Sequence, residues 1–143
     1  MRKYLIALLI IALVQTVIPV TQSHAITTKT ATTKNQILAG DVITSELTHY
    51  CVCRKCCGKT NGITASGVKI KNGMDNPFIV SCNWLPFGTI VEIDGQEYTV
   101  SDRGGKGLSK IGRFDVFVPE GHKAALKLGR KKNVEVIIVT IPE

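Results

Sequence analysis

The chain has 143 residues, with 18 Lys+Arg against 11 Asp+Glu and a formal charge of +7. That length holds one domain with appendages and is short for two. A hydrophobic share of 44% with 20% charged residues excludes a disordered chain, and 13 glycines without a triplet or heptad pattern exclude collagen and coiled coil.

Arg2 and Lys3 precede an apolar run from Tyr4 to Val20, broken by Gln15, Thr16 and Pro19. Ser23 and Ala25 supply the small residues of a secretory cleavage site, so residues 1–25 are expected to be a signal peptide cut after Ala25. The alternative is an uncleaved anchor, against which the helix-breaking Pro19 and the small-x-small ending both speak. No cysteine lies near the cut to carry a lipid. No later stretch is long enough to span a bilayer, so no stable membrane insertion is expected after cleavage. Without Arg2 and Lys3 the chain stays net positive and should be drawn to anionic surfaces. Cell-wall polymers suit an exported protein better than nucleic acid, for which there is no basic-aromatic interleaving. Ordinary solubility charge would look the same. Residues 26–45 are Thr-rich without lasting periodicity and read as a linker. Residues 46–143 read as one domain.

Within that domain, Leu47 to Cys53 reads as a strand entering a loop and Phe78 to Ser81 as a short strand. Thr89–Ile93, Asp94-Gly95 and Gln96–Asp102 form a hairpin signal, because Asp-Gly supplies the positive φ angles of a two-residue turn. Tyr98, Val100 and Asp102 share one face by the period of two, which would place Asp102 at the end of a core row. Arg113–Val118 is a further strand with Phe114, Val116 and Val118 on one face and Asp115 and Phe117 on the other. Pro119-Glu120 is expected to open a short helix that Gly129 ends. Val134–Ile141 closes the chain as a strand. Many short strands and one late helix predict a small, mostly β barrel.

Two carboxyls carry the chemistry that the sequence suggests. Asp102 opens Ser-Asp-Arg-Gly-Gly-Lys-Gly, and Asp115 lies in Gly-Arg-Phe-Asp-Val-Phe. A carboxyl on a strand end beside apolar side chains, near a second carboxylate, has its ionised form disfavoured and keeps a proton closer to neutrality. Protonating a glycosidic oxygen requires such a group. The bland alternative is a loop-capping Asp102 and an Asp115 paired with Arg113 or Arg103. Thr64, Ser66 and Lys69, in a Gly-bounded loop, are candidates to meet sugar hydroxyls and a carboxylate, as is Arg103 beside Asp102. A small-residue turn explains the same composition.

Cys51, Cys53, Cys56, Cys57 and Cys82 form a dense set for an exported chain. A disulfide staple, with Cys82 pairing back to the cluster, is expected over a metal site. The Cys53–Cys56 spacing fits zinc, but no second pair stands at the usual spacing and no histidine is adjacent in sequence. Five is odd, so one thiol is left free or bridges molecules. His49 and His122 have no nucleophile–base context and read as surface or packing residues. No metal and no cofactor is expected.

Taken in order, Thr64-Ala-Ser-Gly67, Leu85-Pro-Phe-Gly-Thr89, Asp102-Arg-Gly-Gly105, Arg113-Phe-Asp-Val-Phe117 and Ala124-Ala-Leu-Lys-Leu-Gly129 resemble the three-aspartate (3D) domain of bacterial muralytic proteins. They also resemble the related rare-lipoprotein-A-like double-psi β-barrels. Tyr50-Cys-Val-Cys-Arg-Lys-Cys-Cys-Gly58 is similar to the cysteine-rich lead-in of a Gram-positive and phage-associated branch. The resemblance covers residues 50–141. It implies a six-stranded double-psi β-barrel with one short C-terminal helix, located in the cell wall. It implies lytic transglycosylase activity on peptidoglycan glycan strands, at the bond between N-acetylmuramic acid and N-acetylglucosamine. In such enzymes an aspartic acid protonates the leaving oxygen and the muramyl 6-hydroxyl closes an anhydro ring. Asp102 matches the second family aspartate and Asp115 the third. The first falls near Ser81, where this chain has no carboxyl, and Cys82 stands near a histidine position of the lipoprotein-like branch. The alternative is a non-catalytic, expansin-like wall-binding module. Oligomeric state is not set by the sequence.

Overall fold

A computed structural model describes residues 36–75 and 78–143. The signal peptide expected over 1–25 and the first half of the expected linker, residues 26–35, lie outside them. Six strands, Val42–Tyr50 (β1), Ile79–Ser81 (β2), Ile90–Ile93 (β3), Gln96–Asp102 (β4), Arg113–Phe117 (β5) and Lys131–Thr140 (β6), close into a barrel in the order β1-β5-β2-β4-β3-β6. β1 runs parallel to β5 and β2 parallel to β4, while the other neighbours are antiparallel. Two helices accompany them, Arg54–Cys57 (α1) and His122–Leu128 (α2), with a 3-10 turn at Lys106–Ser109. The expectation of a mostly β, six-stranded barrel with a short late helix is met at that level.

Alternation along each strand decides what the barrel encloses. Leu47, Val80, Val91, Val100, Phe114, Val136 and Ile138 point inward and form the main core. A second, smaller cluster of Tyr50, Ile70, Ile79 and Phe117 lies on the outer face of β1, β2 and β5. The chain between β1 and β2 covers it, contributing Val52, Cys56, Cys57 and Met74. This cover depends on Gly62, which has φ +65° and whose β-carbon would overlap the Ile70 carbonyl oxygen.

Three elements start more than one residue from where the sequence reading puts them. β1 begins at Val42, inside the stretch read as linker, because residues 42–45 pair with β6 around Val42↔Ile137 and Ile43↔Val136. Its Thr and Ser positions mask an alternation in which Ile43 and Ser45 turn inward. β6 starts at Lys131 rather than Val134, a start set by the Leu47↔Lys131 pairing and not by apolar pattern. α2 starts at His122, not at Pro119-Glu120. Gly121 takes φ +93°, outside helical space, so the two preceding residues form a turn.

Candidate functional site

Ser81 at the end of β2 pairs with Asp115 on β5 and with Asp102 on β4. One residue earlier, Val80 pairs with Val116 and Val100, all three in the core. The register of β2 with β4 shifts between these pairs, so Ser101 is skipped and Asp102 stands opposite Ser81. This bulge corrects the expectation that Asp102 continues the core row. An extra residue re-aims the side chain, as bulges do beside functional sites. Asp102, Ser81 and Asp115 therefore form one row on the outer face of the barrel. All three line a groove of about 370 Å³ whose walls include Tyr50, Cys56, Ala65, Gly104 and Gly105. A second cleft of about 180 Å³, lined by Glu46, Thr48, Arg113 and Arg130, shares Asp115 and Gly105 with the first.

The two carboxyls have different surroundings. Asp102 Oδ1 accepts from the backbone N–H groups of Ala65 at 2.8 Å and Arg103 at 2.9 Å, and its Oδ2 accepts from the Tyr50 hydroxyl at 3.2 Å. Every partner is a donor, the pattern that suits a carboxylate. Burial holds the Tyr50 phenol well above its ordinary range, so it remains a donor. Among the described residues Asp115 has one side-chain partner, the Thr48 hydroxyl, which donates to Oδ1 at 2.8 Å. Its carboxyl is raised above the usual aspartate value, chiefly by burial, with the Asp102 charge adding to the effect and the Thr48 bond and the His49 charge opposing it. Of the two, Asp115 is the one placed to retain a proton.

The remaining sequence candidates divide. Thr64 is buried, its hydroxyl 3.2 Å from that of Ser66, and neither residue lines the groove; Lys69 is exposed and also lies off it. The loop presents Ile63 and Ala65 instead, because an extended segment turns alternate side chains to opposite sides. Lys59 supplies the basic side chain on that wall. Arg103 borders the groove, but its guanidinium donates to the Cys82 and Leu85 carbonyls at 2.7 and 2.9 Å and stacks 3.7 Å from the Phe87 ring centre. It pins the 82–87 loop instead of offering a free charge.

Sequence reasoning missed Tyr50, Thr48 and Asn83. Period two puts Thr48 on the face opposite Leu47, but its pairing with Asp115 across β1 and β5 is set by strand order. Asn83 had no signal. Its side chain donates to the Gly104 and Gly105 carbonyls at 3.1 and 3.2 Å and accepts from the Gly104 N–H at 3.0 Å, fixing the glycine loop that follows Asp102.

Among the described residues all five cysteines are free thiols, so the expected pairing of Cys82 back to the cluster is not formed. Cys82 is fully buried in the barrel core, apart from the outer-face cluster that holds Cys56 and Cys57. Burial raises its thiol, and it does not line the groove. His122 also departs from expectation. Its Nδ1 lies 3.3 Å from the Cys56 sulfur and 3.7 Å from that of Cys53. His49 binds the Gly129 carbonyl through Nδ1 at 2.8 Å.

A search against protein-family models finds no match, and a search of curated proteins finds no relative.

Proposed function

We propose that the protein is an exported peptidoglycan-cleaving enzyme, a lytic transglycosylase acting between N-acetylmuramic acid and N-acetylglucosamine. The observation that carries this reading is the row Asp102, Ser81, Asp115 in one groove, with Asp115 set between two clefts that a glycan strand would cross. A double-psi topology is part of the same proposal, supported by the two parallel pairs inside a closed six-strand barrel.

In this mechanism Asp115 gives its proton to the glycosidic oxygen as the bond from the muramyl C1 breaks, releasing N-acetylglucosamine with a free 4-hydroxyl. Asp102, held by Ala65, Arg103 and Tyr50, faces the positive charge that develops at C1. The muramyl 6-hydroxyl oxygen bonds to C1, its proton returns to the Asp115 carboxylate, and no water is consumed. Ser81, where the resemblance expects a carboxyl, supplies only a hydroxyl; of the two carboxyls left, burial favours the protonated form at Asp115, so the acid role falls there. Gly105, with open space around its α-carbon, lets the polymer approach the backbone.

The test is digestion of purified peptidoglycan with mass analysis of the products. Anhydro-muropeptides that disappear with Asp115→Asn support the reading. Absence of both anhydro products and new reducing ends across a broad pH range refutes it. The absence of the first family carboxyl, at Ser81, favours a second reading, a wall-binding module without catalysis, expected to co-sediment with murein sacculi in a salt-sensitive manner. Failure to sediment at low salt rules that version out.

A further inference from the structure

Cys51, Cys53, Cys56 and His122 bring their ligand atoms within 4.8 Å of one another. The sulfurs of Cys51 and Cys56 are 3.6 Å apart, and His122 Nδ1 is 3.7 Å from Cys53 and 3.3 Å from Cys56. A tetrahedral zinc ion with ordinary bond lengths separates two thiolates by about 3.8 Å and a thiolate from an imidazole nitrogen by about 3.6 Å. These three edges lie close to those values, and the other three stay within 4.8 Å. We propose that these four residues bind one zinc ion in a closed structural site.

Several independent features agree. The four ligands come from two distant segments, the end of β1 with α1, and the first residue of α2. A disulfide between Cys51 and Cys56 would leave Cys53 and the imidazole facing it without purpose, whereas zinc uses all four. The Cys53 sulfur accepts the Cys56 backbone N–H at 3.4 Å, an outer-shell bond of the kind that orients a thiolate ligand. Selection within the cysteine run is clear: Cys57 turns its thiol to the Cys51 carbonyl at 3.0 Å and does not join the group. α1 has four residues and buries none of them, so it needs a tether beyond its own packing.

Four protein ligands leave no open position, so the ion is structural and not a Lewis acid for the groove. Its effect on the groove is mechanical. Tyr50, Val52 and Cys56 form one wall, and the ion fastens that wall to α2. The sequence hid this because His122 is remote from the cysteines in the chain and meets them only after β5 and the Gly121 turn place it there. The proposal does not depend on the wall-cleaving reading.

The test uses the full chain, prepared with zinc present and without reductant, and measures metal content, intact mass and the absorption spectrum after cobalt substitution. The expected result is one zinc per chain, with thiolate-to-cobalt charge transfer and intense tetrahedral ligand-field bands. His122→Ala should lower zinc affinity by about 100-fold or more, while Cys57→Ser keeps the full stoichiometry. His122→Cys should restore tight binding, with stronger charge transfer from a fourth sulfur. If His122→Ala does not fold, the cobalt spectrum of the unaltered chain decides. The proposal is overturned by metal-free protein with a Cys51–Cys56 disulfide, by a weak octahedral cobalt spectrum, or by equal zinc loss in Cys57→Ser and His122→Ala.

Discussion

Asp115 and Asp102 flank Ser81 in one row, yet of the two only Asp115 combines burial with a single side-chain hydrogen bond among the described residues. Its folded-state pKa is raised, so the native state holds this proton more tightly than the unfolded chain does. The stability it contributes is therefore full below the ordinary carboxylate value and is lost as pH rises through the raised value. Asp115→Asn should remove that loss: urea midpoints of the variant are expected to exceed those of the unaltered protein at neutral pH and to change less between mildly acidic and neutral pH. The same substitution should cost about 10²–10⁴-fold in glycan cleavage, the usual range for a general acid. A variant equally active, or less stable at neutral pH, would remove Asp115 from this role. Tyr50→Phe takes one donor from Asp102 inside a half-buried network. It is expected to cost about 1–2 kcal/mol in denaturant unfolding.

At the scale of elements, the site depends on two backbone devices. The bulge between β2 and β4 turns Asp102 out of the core row, and the Gly62 loop brings the Ala65 N–H to it. Gly62→Ala meets both a positive φ and the Ile70 carbonyl, so it should destabilise by at least about 2 kcal/mol in urea unfolding, with activity falling in parallel. A cost near zero would mean that the loop has room to retreat. The strands themselves were legible. The Asp94-Gly95 turn and the Phe114/Val116 alternation are local patterns, and β3, β4 and β5 appear where these place them. The bulge was not legible, because a register shift is set by the partner strand and leaves no mark in the period of β4. Composition likewise does not show which alternate side chains of the 63–66 loop face the groove, and it is Ile63 and Ala65 that do so, not Thr64 and Ser66.

For the whole molecule, closure of the barrel determines which distant residues meet. Asp102, Ser81 and Asp115 converge because β2 lies between β4 and β5, a strand order that no local pattern encodes. The pairing of carboxyls was anticipated from their sequence contexts, while the meeting of His122 with the cysteines was not. Phe114 is fully buried at the centre of the main core, next to the edge-on ring of Trp84. Phe114→Ala should destabilise by about 3–5 kcal/mol, read from the urea midpoint, and loosen the outer row with it. The account as a whole rests on one of the two groove carboxyls keeping its proton beyond the ordinary aspartate range. The direct measurement is a carbon-13 NMR titration of the aspartate side-chain carboxyls, assigned through Asp115→Asn and Asp102→Asn. The expected result is an Asp115 resonance that titrates above the ordinary aspartate range and moves closer to it when Asp102 is replaced. An Asp115 carboxyl that titrates within the ordinary aspartate range contradicts the account.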